Sequence, residues 1–329
     1  NSSIKNYFEK FKDFKNCYLI HLSDEHCLAE TSHYKYFKHV FRNIYRDDVA
    51  NKNATFFPLG YKSKEIKKTQ GQPIPKKIHQ TWETKNITSG MQKYIDKLKN
   101  LNPDFEYKLH DKLDRETFLK ENFDSDVFEA YSRIAPGAMK VDLWRYCILY
   151  KYGGVFSDID LDHINPLSKL IDGFSFVCPI DISNGFNTSH QALNSLICAS
   201  SGHPILKNCI DLVVSNIIDG GWDQFNDHCL DLTGPGALGM TVNSFMGREK
   251  RSDLKCMAGE HKVSNYKIKL MDNTGHILID TDKTPIFNCD KGPDTDVRKA
   301  YYELSERDGV ISWSGGHYQN DTLIKNRNE

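Results

Sequence analysis

Several features are missing from this chain, and each absence removes a class of function. No run of apolar residues is long enough to span a bilayer, and no signal peptide is visible. The nine cysteines contain no CxxC pair, which argues against a zinc ribbon, and their odd number argues against a fully paired disulfide framework. The formal net charge is -1, so neither nucleic acid nor an anionic membrane surface is an expected partner.

The chain is long enough for one large domain with an appendage. Its composition shifts to lysine, glutamine and proline from Tyr61 to Lys77, as is typical of a connector. We therefore predict a small N-terminal α/β accessory segment with its linker at residues 1–70, and a main domain at residues 71–329. The first residue is Asn1 rather than Met, which leaves room for a targeting segment or a membrane anchor ahead of it.

Strand and helix patterns alternate along the main domain. The predicted order is a buried strand at Pro75–Trp82, a helix at Met91–Leu101 with Ser89 and Gln92 as a capping box, a strand at Phe105–Leu109, and two helices within Asp114–Arg133. Later elements are a strand at Phe174–Pro179, helices at Pro204–Ile218 and from Ala237, and a hairpin of Tyr266–Leu270 with His276–Ile279. This alternation predicts an α/β sheet with helices on both faces, where ligands bind beyond the carboxyl ends of strands.

The stretch from Ala138 to Leu167 carries the densest pattern. Apolar residues at helical spacing between Val141 and Tyr150 predict an amphipathic helix, which ends at Gly153 as its C-terminal cap. A short strand follows from Val155. The strand ends in a run of acidic residues, so the chemistry of this stretch is expected at a carboxyl end.

Three carboxylates follow this strand at alternate positions: Asp158, Asp160 and Asp162. Side chains alternate faces along a strand, so all three point to one side if the strand continues that far. Carboxylates this close repel one another unless a cation lies between them, and a hard divalent metal that holds phosphate oxygens is the usual cation. A solvated acidic strand end is the alternative. A calcium loop is excluded, because its sixth position is His163 instead of glycine and its twelfth is Lys169 instead of glutamate.

The preceding helix carries a charged pair on one side. At about 100° per residue, Lys140 and Lys151 share one face, and Asp142 and Arg145 lie roughly opposite. Since the lysines mark the solvent side, the acid and the base point inward, one turn apart. An ordinary i,i+3 ion pair is the alternative and contributes little. Because Asp142 and Arg145 come just before an acidic strand end, we favour the interpretation that both side chains point at a ligand.

These residues resemble the family 32 glycosyltransferases, which include yeast initiating mannosyltransferases, capsular polysaccharide sugar transferases and, more distantly, the glucosyltransferase domain of large clostridial toxins. The match runs from about Ile74 to Pro235. Its most specific part is the block A-x-x-x-D-x-x-R-Y-x-x-L-Y-x-x-G-G-V-F-x-D-x-D from Ala138, whereas a bare D-x-D is not specific. The other matching motifs are the IPKKIHQTW strand, Asn194 followed by Gly202–Pro204, and the Thr233–Gly236 turn.

The resemblance implies a GT-A type, Rossmann-like mixed sheet that transfers a sugar from a nucleotide sugar with retention of anomeric configuration. It implies Mn²⁺ or Mg²⁺ as cofactor and a glycan or glycoprotein as acceptor. Among donors, UDP sugars are favoured over GDP-mannose. A secretory or Golgi location and a cytoplasmic site of glycan synthesis both fit this activity.

Each matching position inherits a role from the resemblance. The nucleotide is expected on Trp82, stacked on the base, with the main chain of Ile78, His79 and Gln80 nearby. Sugar hydroxyls are expected on Asp142 and Arg145, in a pocket that Asn194 lines. The metal and the diphosphate are expected on Asp158, Asp160 and, as a third ligand, His317. The order of Trp313, Ser314 and His317 departs from the family's closing segment, and Asp162 has no assigned role.

Two other function classes were weighed. A phosphatase of the haloacid-dehalogenase type also uses Asp-x-Asp at a strand end, but there the motif normally lies in the first strand, whereas here it lies in mid-chain. A sugar- or nucleotide-binding module without turnover stays open, although the intact Asp158 and Asp160 argue against it. For an enzyme, retention without an obvious carboxylate nucleophile favours a dissociative same-face transfer, with a diphosphate oxygen as base.

Overall fold

The computed structural model of the protein describes residues 18–21, 39–42, 54–56, 72–181, 189–220, 229–274, 277–288, 296–300 and 303. The chain forms two compact units, Asn1–Tyr61 and Lys62–Glu329. In the first unit, strands β1 (Tyr18–His21), β2 (His39–Arg42) and β3 (Ala54–Phe56) form a parallel sheet in that order. The predicted end of the linker at residue 70 falls outside these ranges and stays a prediction. Within them, no helix combines the length and apolar character that a membrane span requires.

The second unit alternates strands and helices. Its first elements are β4 (Lys77–Thr81), α1 (Ser89–Leu101), β5 (Glu106–His110), α2 (Lys112–Asn122), α3 (Ser125–Arg133), α4 (Gly137–Tyr152), β6 (Gly154–Ser157) and β7 (Asp162–His163). The later elements are α5 (Ser168–Ile171), β8 (Phe176–Pro179), β9 (Leu196–Ala199), α6 (Pro204–Ile218), α7 (Cys229–Leu232), α8 (Pro235–Phe245), β10 (Gly259–Val263), β11 (Tyr266–Thr274), β12 (Ile277–Ile279) and β13 (Pro285–Asn288). The predicted α/β class is confirmed.

Strands β4 to β13 form one sheet in the order β5-β4-β6-β9-β8-β11-β12-β13-β7, and β10 pairs with β11. The first three strands are parallel, and β9 runs antiparallel to both of its neighbours. The predicted Rossmann-like mixed sheet is therefore confirmed. Only residues 158–161 separate β6 from β7, the last strand of this order. Because an extended residue spans at most about 3.5 Å, the sheet must curl until its far edge returns to the end of β6.

Adjacent residues of β6 show that helices cover both faces of the sheet. Val155 belongs to a buried cluster with Leu98 of α1 and Leu170 of α5. Phe156 points to the opposite face, since side chains alternate along a strand. Its ring centroid lies 6.2 Å from that of Trp144 in α4. Helices on both faces, as the sequence predicts, are confirmed.

Helix α4 is more deeply buried than the sequence pattern predicts. Every residue from Leu143 to Tyr150 is buried, including Arg145. The reason is that α4 contacts β6 and β9 of the sheet and also α2, α3 and α6. The prediction of an amphipathic helix is wrong from Leu143 to Tyr150, since a stretch enclosed by neighbours shows no polar stripe. Lys140 and Lys151, which mark the solvent side, lie outside this stretch and are half-buried.

Two glycines turn the chain from α4 into β6. Gly153 caps the helix with a φ of +65°, and its N–H donates to the carbonyl oxygen of Leu149 at 2.8 Å. Gly154 has a φ of +106°, and a Cβ there would lie 2.6 Å from the carbonyl oxygen of Lys77 in β4. Glycine is required at this turn both by the backbone conformation and by the close approach of β4.

We expect Gly154→Ala to lower the free energy of unfolding by about 3 kcal/mol, because a positive φ costs about 1–2 kcal/mol and the clash with Lys77 adds to it. Gly173→Ala is the matched control, since its φ is +73° but nothing lies within 4 Å of its added Cβ. The control should lose only about 1 kcal/mol. Urea denaturation measures both values, and equal losses would show that Lys77 imposes no constraint.

The N-terminal cap of α1 differs from the prediction. Thr88, not Ser89, is the N-cap, and its Oγ1 accepts a hydrogen bond from the main-chain N–H of Met91 at 3.2 Å. The Ser89 hydroxyl instead donates to Asp296 Oδ2 at 3.2 Å. Both residue types cap helices well, so spacing alone could not choose between neighbours. The predicted capping box of Ser89 and Gln92 is therefore wrong.

Four buried histidines share a lowered pKa: His79, His110, His163 and His203. Burial lowers the pKa of His79 and His163 to about 4, and that of His110 and His203 to about 3. An unfolded histidine has a pKa of about 6.5. Between about pH 6.5 and 4, the unfolded chain therefore binds more protons than the folded chain at these four positions.

We expect the free energy of unfolding to fall as the pH is lowered from 7 to 5. Each depressed histidine contributes to the slope, up to about 1.4 kcal/mol per pH unit below its unfolded pKa. His203→Asn removes one titrating group and keeps a side chain able to cap α6. The free energy of unfolding of this variant should therefore change less steeply with pH, by the contribution of one histidine. Urea denaturation at several pH values measures both slopes, and identical slopes would contradict a buried neutral His203.

Candidate active site

The D-x-D residues form a turn and not the continuation of a strand. Strand β6 ends at Ser157, the chain turns through residues 158–161, and β7 begins at Asp162. The main-chain N–H of Leu161 bonds to the carbonyl oxygen of Asp158 at 3.4 Å, which reverses the chain. The condition for placing three aspartates on one side, a strand that continues to Asp162, is therefore not met. We call residues 158–161 the carboxylate turn.

Asp162 is separated from the other two aspartates. Its side chain is 37% exposed and pairs with Lys97 Nζ of α1 at 2.5 Å. Its main chain pairs with Asn288 of β13. Asp162 therefore links α1 to the edge of the sheet formed by β7 and β13. An exposed ion pair of this kind contributes at most about 1 kcal/mol to stability.

The main chain of Asp158 is held from several directions. Its N–H donates to the carbonyl oxygen of Ser195 at 2.8 Å, just before β9. Its carbonyl oxygen accepts from Gln80 Nε2 at 3.0 Å and from Ser157 Oγ at 3.2 Å. The Tyr107 hydroxyl of β5 donates to Gln80 Oε1 at 3.0 Å. Strands β4 and β5 and the segment before β9 together fix where Asp158 lies.

The residue between the two aspartates anchors the carboxylate turn. Ile159 is buried in a cluster with Met91, Ile95 and Val297, and the half-buried Trp82 packs against the same cluster. Trp82 directly follows β4, and Asp158 directly follows β6, so both lie at carboxyl ends of adjacent strands, as predicted.

Arg145 links two carboxylates. Its Nη2 lies 3.3 Å from Asp142 Oδ1 and 3.4 Å from Asp158 Oδ1. Its Nη1 donates to the carbonyl oxygen of Asn194 at 2.5 Å, and its guanidinium carbon lies 4.4 Å from the ring centroid of Phe156. The side chain is only 6% exposed. The structure thus brings the predicted sugar-binding pair, Asn194 and the first D-x-D residue into one network.

Both oxygens of Asp142 are engaged. Oδ1 accepts from Asn194 Nδ2 and Oδ2 accepts from Thr233 Oγ1, each at 2.9 Å. The Tyr146 hydroxyl lies 3.2 Å from Asn194 Nδ2 and donates to the carbonyl oxygen of Thr233 at 3.0 Å. Burial raises the pKa of Asp142, and Arg145 and the two hydrogen bonds oppose that rise. Thr233 and Tyr146 were not predicted as site residues, although both lie in motifs named from the sequence.

Ile78 and His79 direct their side chains into the protein. Ile78 lies in a core cluster, and His79 Nε2 lies 3.2 Å from the carbonyl oxygen of Gly153. The main chain of both residues pairs with β5 on one side and β6 on the other. Their predicted place beside a nucleotide base stays a prediction. The predicted ligand His317 lies outside the described residues.

Asp158 and Asp160 offer a donor set suited to a hard cation. The described residues contain no group of three or more His, Cys, Asp or Glu side chains that could hold a metal ion by themselves. Mg²⁺ is typically bound by one or two carboxylates, while substrate phosphates and waters complete its shell, and Mn²⁺ also prefers such oxygens. The Asp158 side chain is 28% exposed, whereas Asp160 is buried. The pair fits a metal that is held together with a diphosphate.

Comparison with known proteins places the site in context. Residues 88–177 match the family described as glycosyltransferase sugar-binding region containing DXD motif. Inositol phosphoceramide mannosyltransferase 1 of Schizosaccharomyces pombe is 28% identical over 144 residues, 42% of each chain. Initiation-specific alpha-1,6-mannosyltransferase of Candida albicans is 24% identical over 210 residues, 54% of each chain.

Among solved structures, PaToxG glycosyltransferase superposes with a TM-score of 0.40 at 20% identity, over 53% of this chain and 69% of its own. The chain spans between about two-fifths and about half of the length of the two curated relatives named above.

Proposed function

We propose that this chain, which is related to the DXD-containing glycosyltransferases through residues 88–177, is a metal-dependent retaining glycosyltransferase. It transfers a sugar from a nucleotide sugar to a glycan or protein acceptor. The observation that carries the proposal is the bridge made by Arg145, which contacts both Asp142 and Asp158. This bridge joins a pair suited to sugar hydroxyls to a turn suited to metal and diphosphate.

Each part of the site has a chemical task in this proposal. The half-buried indole of Trp82 stacks on the nucleotide base. Asp158 and Asp160 would hold Mn²⁺ or Mg²⁺, which would supply Lewis-acid stabilisation of the diphosphate leaving group. Asp142 accepts hydrogen bonds from sugar hydroxyls, while Arg145 donates them. Since the site residues are set on strand ends and a buried helix, they are oriented before the donor binds.

Retention is taken from the resemblance, and the way Asp142 is held argues against one of the two routes to it, a double displacement. A double displacement needs a carboxylate that is free to attack the anomeric carbon. Both oxygens of Asp142 instead accept hydrogen bonds, from Asn194 and Thr233. A carboxylate held in this way is suited to accept hydrogen bonds from sugar hydroxyls. We therefore favour same-face transfer, in which a diphosphate oxygen takes the proton of the acceptor substrate.

The donor sugar is the least constrained part of the proposal. The resemblance in the sequence favours UDP sugars, whereas the two curated relatives are named as mannosyltransferases. We propose a mannosyl donor, GDP-mannose, as the first candidate. UDP-glucose, UDP-galactose and UDP-N-acetylglucosamine complete the panel to be compared.

Release of free nucleotide tests the proposal. The protein is incubated with each nucleotide sugar and MnCl₂, with and without EDTA. We expect release from one donor class, and loss of release when EDTA removes the metal. Binding of a donor without release would support the binding-module alternative. Neither binding nor release with any donor would overturn the proposal.

A further inference from the structure

Arg115 of α2 is a buried cation behind the end of β4. It is 1% exposed, although arginine is almost never fully buried unless it is paired. Its role could not be predicted from the sequence, because a single arginine near Phe118 and Leu119 resembles any other charged position of a helix. Its surroundings show a more specific arrangement.

The Arg115 guanidinium makes four hydrogen bonds, three of them to residues 81–83 and one to Tyr131. Nη1 donates to Thr81 Oγ1 at 2.7 Å and to the carbonyl oxygen of Trp82 at 2.9 Å. Nη2 pairs with Glu83 Oε1 at 2.5 Å. Nε donates to the Tyr131 hydroxyl at 3.2 Å. Three consecutive residues, 81–83, are therefore held by one side chain.

The same segment is also tied to β5 and to the start of α2. The carbonyl oxygen of His110 accepts from the Trp82 N–H at 3.1 Å and from Thr81 Oγ1 at 2.8 Å. The Lys112 N–H donates to the carbonyl oxygen of Glu83 at 3.2 Å. Together with the Arg115 contacts, these bonds hold the main chain on both sides of Trp82 where it leaves β4.

A buried guanidinium is not needed for the stability of the fold alone. Removing a charge from water is costly, and an apolar side chain of similar volume is often as stable or more so. An apolar residue, however, cannot bond to the Trp82 carbonyl, the Thr81 hydroxyl and the Glu83 carboxylate at once. The planar fork of arginine suits this task, and lysine cannot reproduce it.

We propose that Arg115 is the positioning residue of the nucleotide edge of the site, a role that rests on the proposed function. By fixing residues 81–83, Arg115 sets the indole of Trp82 against the cluster that holds Ile159 of the carboxylate turn. Arg115 acts on nucleotide affinity through Trp82 and contacts neither the sugar pair nor the D-x-D aspartates. The KM for the donor, and not kcat, is therefore the quantity that depends on it.

Two variants test this role. Arg115→Lys keeps the charge and removes the fork, and Glu83→Gln keeps the shape and removes the counter-charge. UDP and GDP, each with MnCl₂, are titrated by calorimetry. For the nucleotide that the wild type binds, we expect Kd to rise about tenfold in both variants, the factor for about one lost hydrogen bond to a charged group. The donor KM should rise by the same factor, and kcat should stay within about twofold.

Asp280→Asn is the matched control. It weakens another buried ion pair, Lys269 Nζ to Asp280 Oδ1 at 2.8 Å, which joins β11 to the residue after β12 and lies apart from the strands beside Trp82. The control should lower the melting temperature without changing Kd or KM. If the Arg115 and Glu83 variants also change only the melting temperature, the positioning role is overturned while the proposed function stands. If the wild type binds neither UDP nor GDP, the proposed function itself fails, and this role fails with it.

Discussion

Asp160→Asn is expected to abolish metal-dependent donor hydrolysis and sugar transfer while the protein stays folded. The substitution keeps the shape of a buried side chain but removes one of the two carboxylates of the carboxylate turn. Loss of a group that stabilises developing charge typically lowers kcat by about 10²–10³-fold, and loss of the metal would add to that. Nucleotide release with MnCl₂ measures the effect, and circular dichroism with thermal unfolding shows that the fold is kept.

Asp162→Asn is the matched control, because it makes the same chemical change two positions along the chain. Asp162 is exposed and pairs with Lys97, so its loss should change the stability by less than about 1 kcal/mol and leave activity near that of the wild type. Retained turnover in Asp160→Asn would contradict the proposed role of the carboxylate turn in holding the metal and the diphosphate. Equal losses in both variants would show that the three aspartates act together after all.

Asp142→Asn should separate activity from stability. The amide can keep contacts with Asn194 and Thr233, but it loses the charge that pairs with Arg145. We expect the rate of sugar transfer to fall by about 10²-fold, since a carboxylate oriented to accept hydrogen bonds from sugar hydroxyls is lost. The donor KM should rise, because the sugar loses one of its partners in the ground state.

The stability of this variant follows from the direction of the pKa shift. Burial raises the pKa of Asp142 above its unfolded value, so the folded chain binds more protons there than the unfolded chain between the two pKa values. Wild-type stability at this position therefore decreases as the pH rises through that window. Removing the carboxylate should leave the free energy of unfolding at pH 7 unchanged or higher. A large loss of stability at pH 7 would contradict this account.

Asp211→Asn serves as the control for Asp142→Asn. Burial also raises the pKa of Asp211, which pairs with Lys207 on α6 and contacts no described site residue. Its variant should match Asp142→Asn in stability but keep wild-type transfer. Reduced transfer in both variants would show that the loss at Asp142 reflects a general weakening of the helical layer.

Local patterns predicted the framework of the site well. Strand β4, helix α4, the glycine turn and strand β6 follow from apolar spacing and glycine, because these signals act over a few residues. The inward direction of Asp142 and Arg145 needed only the angle between helix positions. The same reasoning failed for the stretch of α4 from Leu143 to Tyr150, since burial on both sides depends on α6, a helix that comes later in the chain.

The missing parts of the site depend on contacts between distant segments. Thr233 Oγ1 bonds to Asp142 across a separation of 91 residues, and the Arg115 guanidinium bonds to Glu83 across 32. Strand β9, which begins directly after the Ser195 contact to the carboxylate turn, was not predicted either. Its run of apolar residues is short and buried, so it shows no alternation to mark it as a strand.

The bridge made by Arg145 has a consequence for the order in which ligands arrive. Arg145 contacts the carboxylates of Asp142 and Asp158, and Asp160 follows in the carboxylate turn, so these three acids outnumber the Arg145 guanidinium by two. An anionic nucleotide that approaches alone meets like charge and is repelled. These acids would hold a divalent ion that offsets the surplus, so we expect the ion to enter before the nucleotide or together with it, and each to raise the affinity for the other by the same factor.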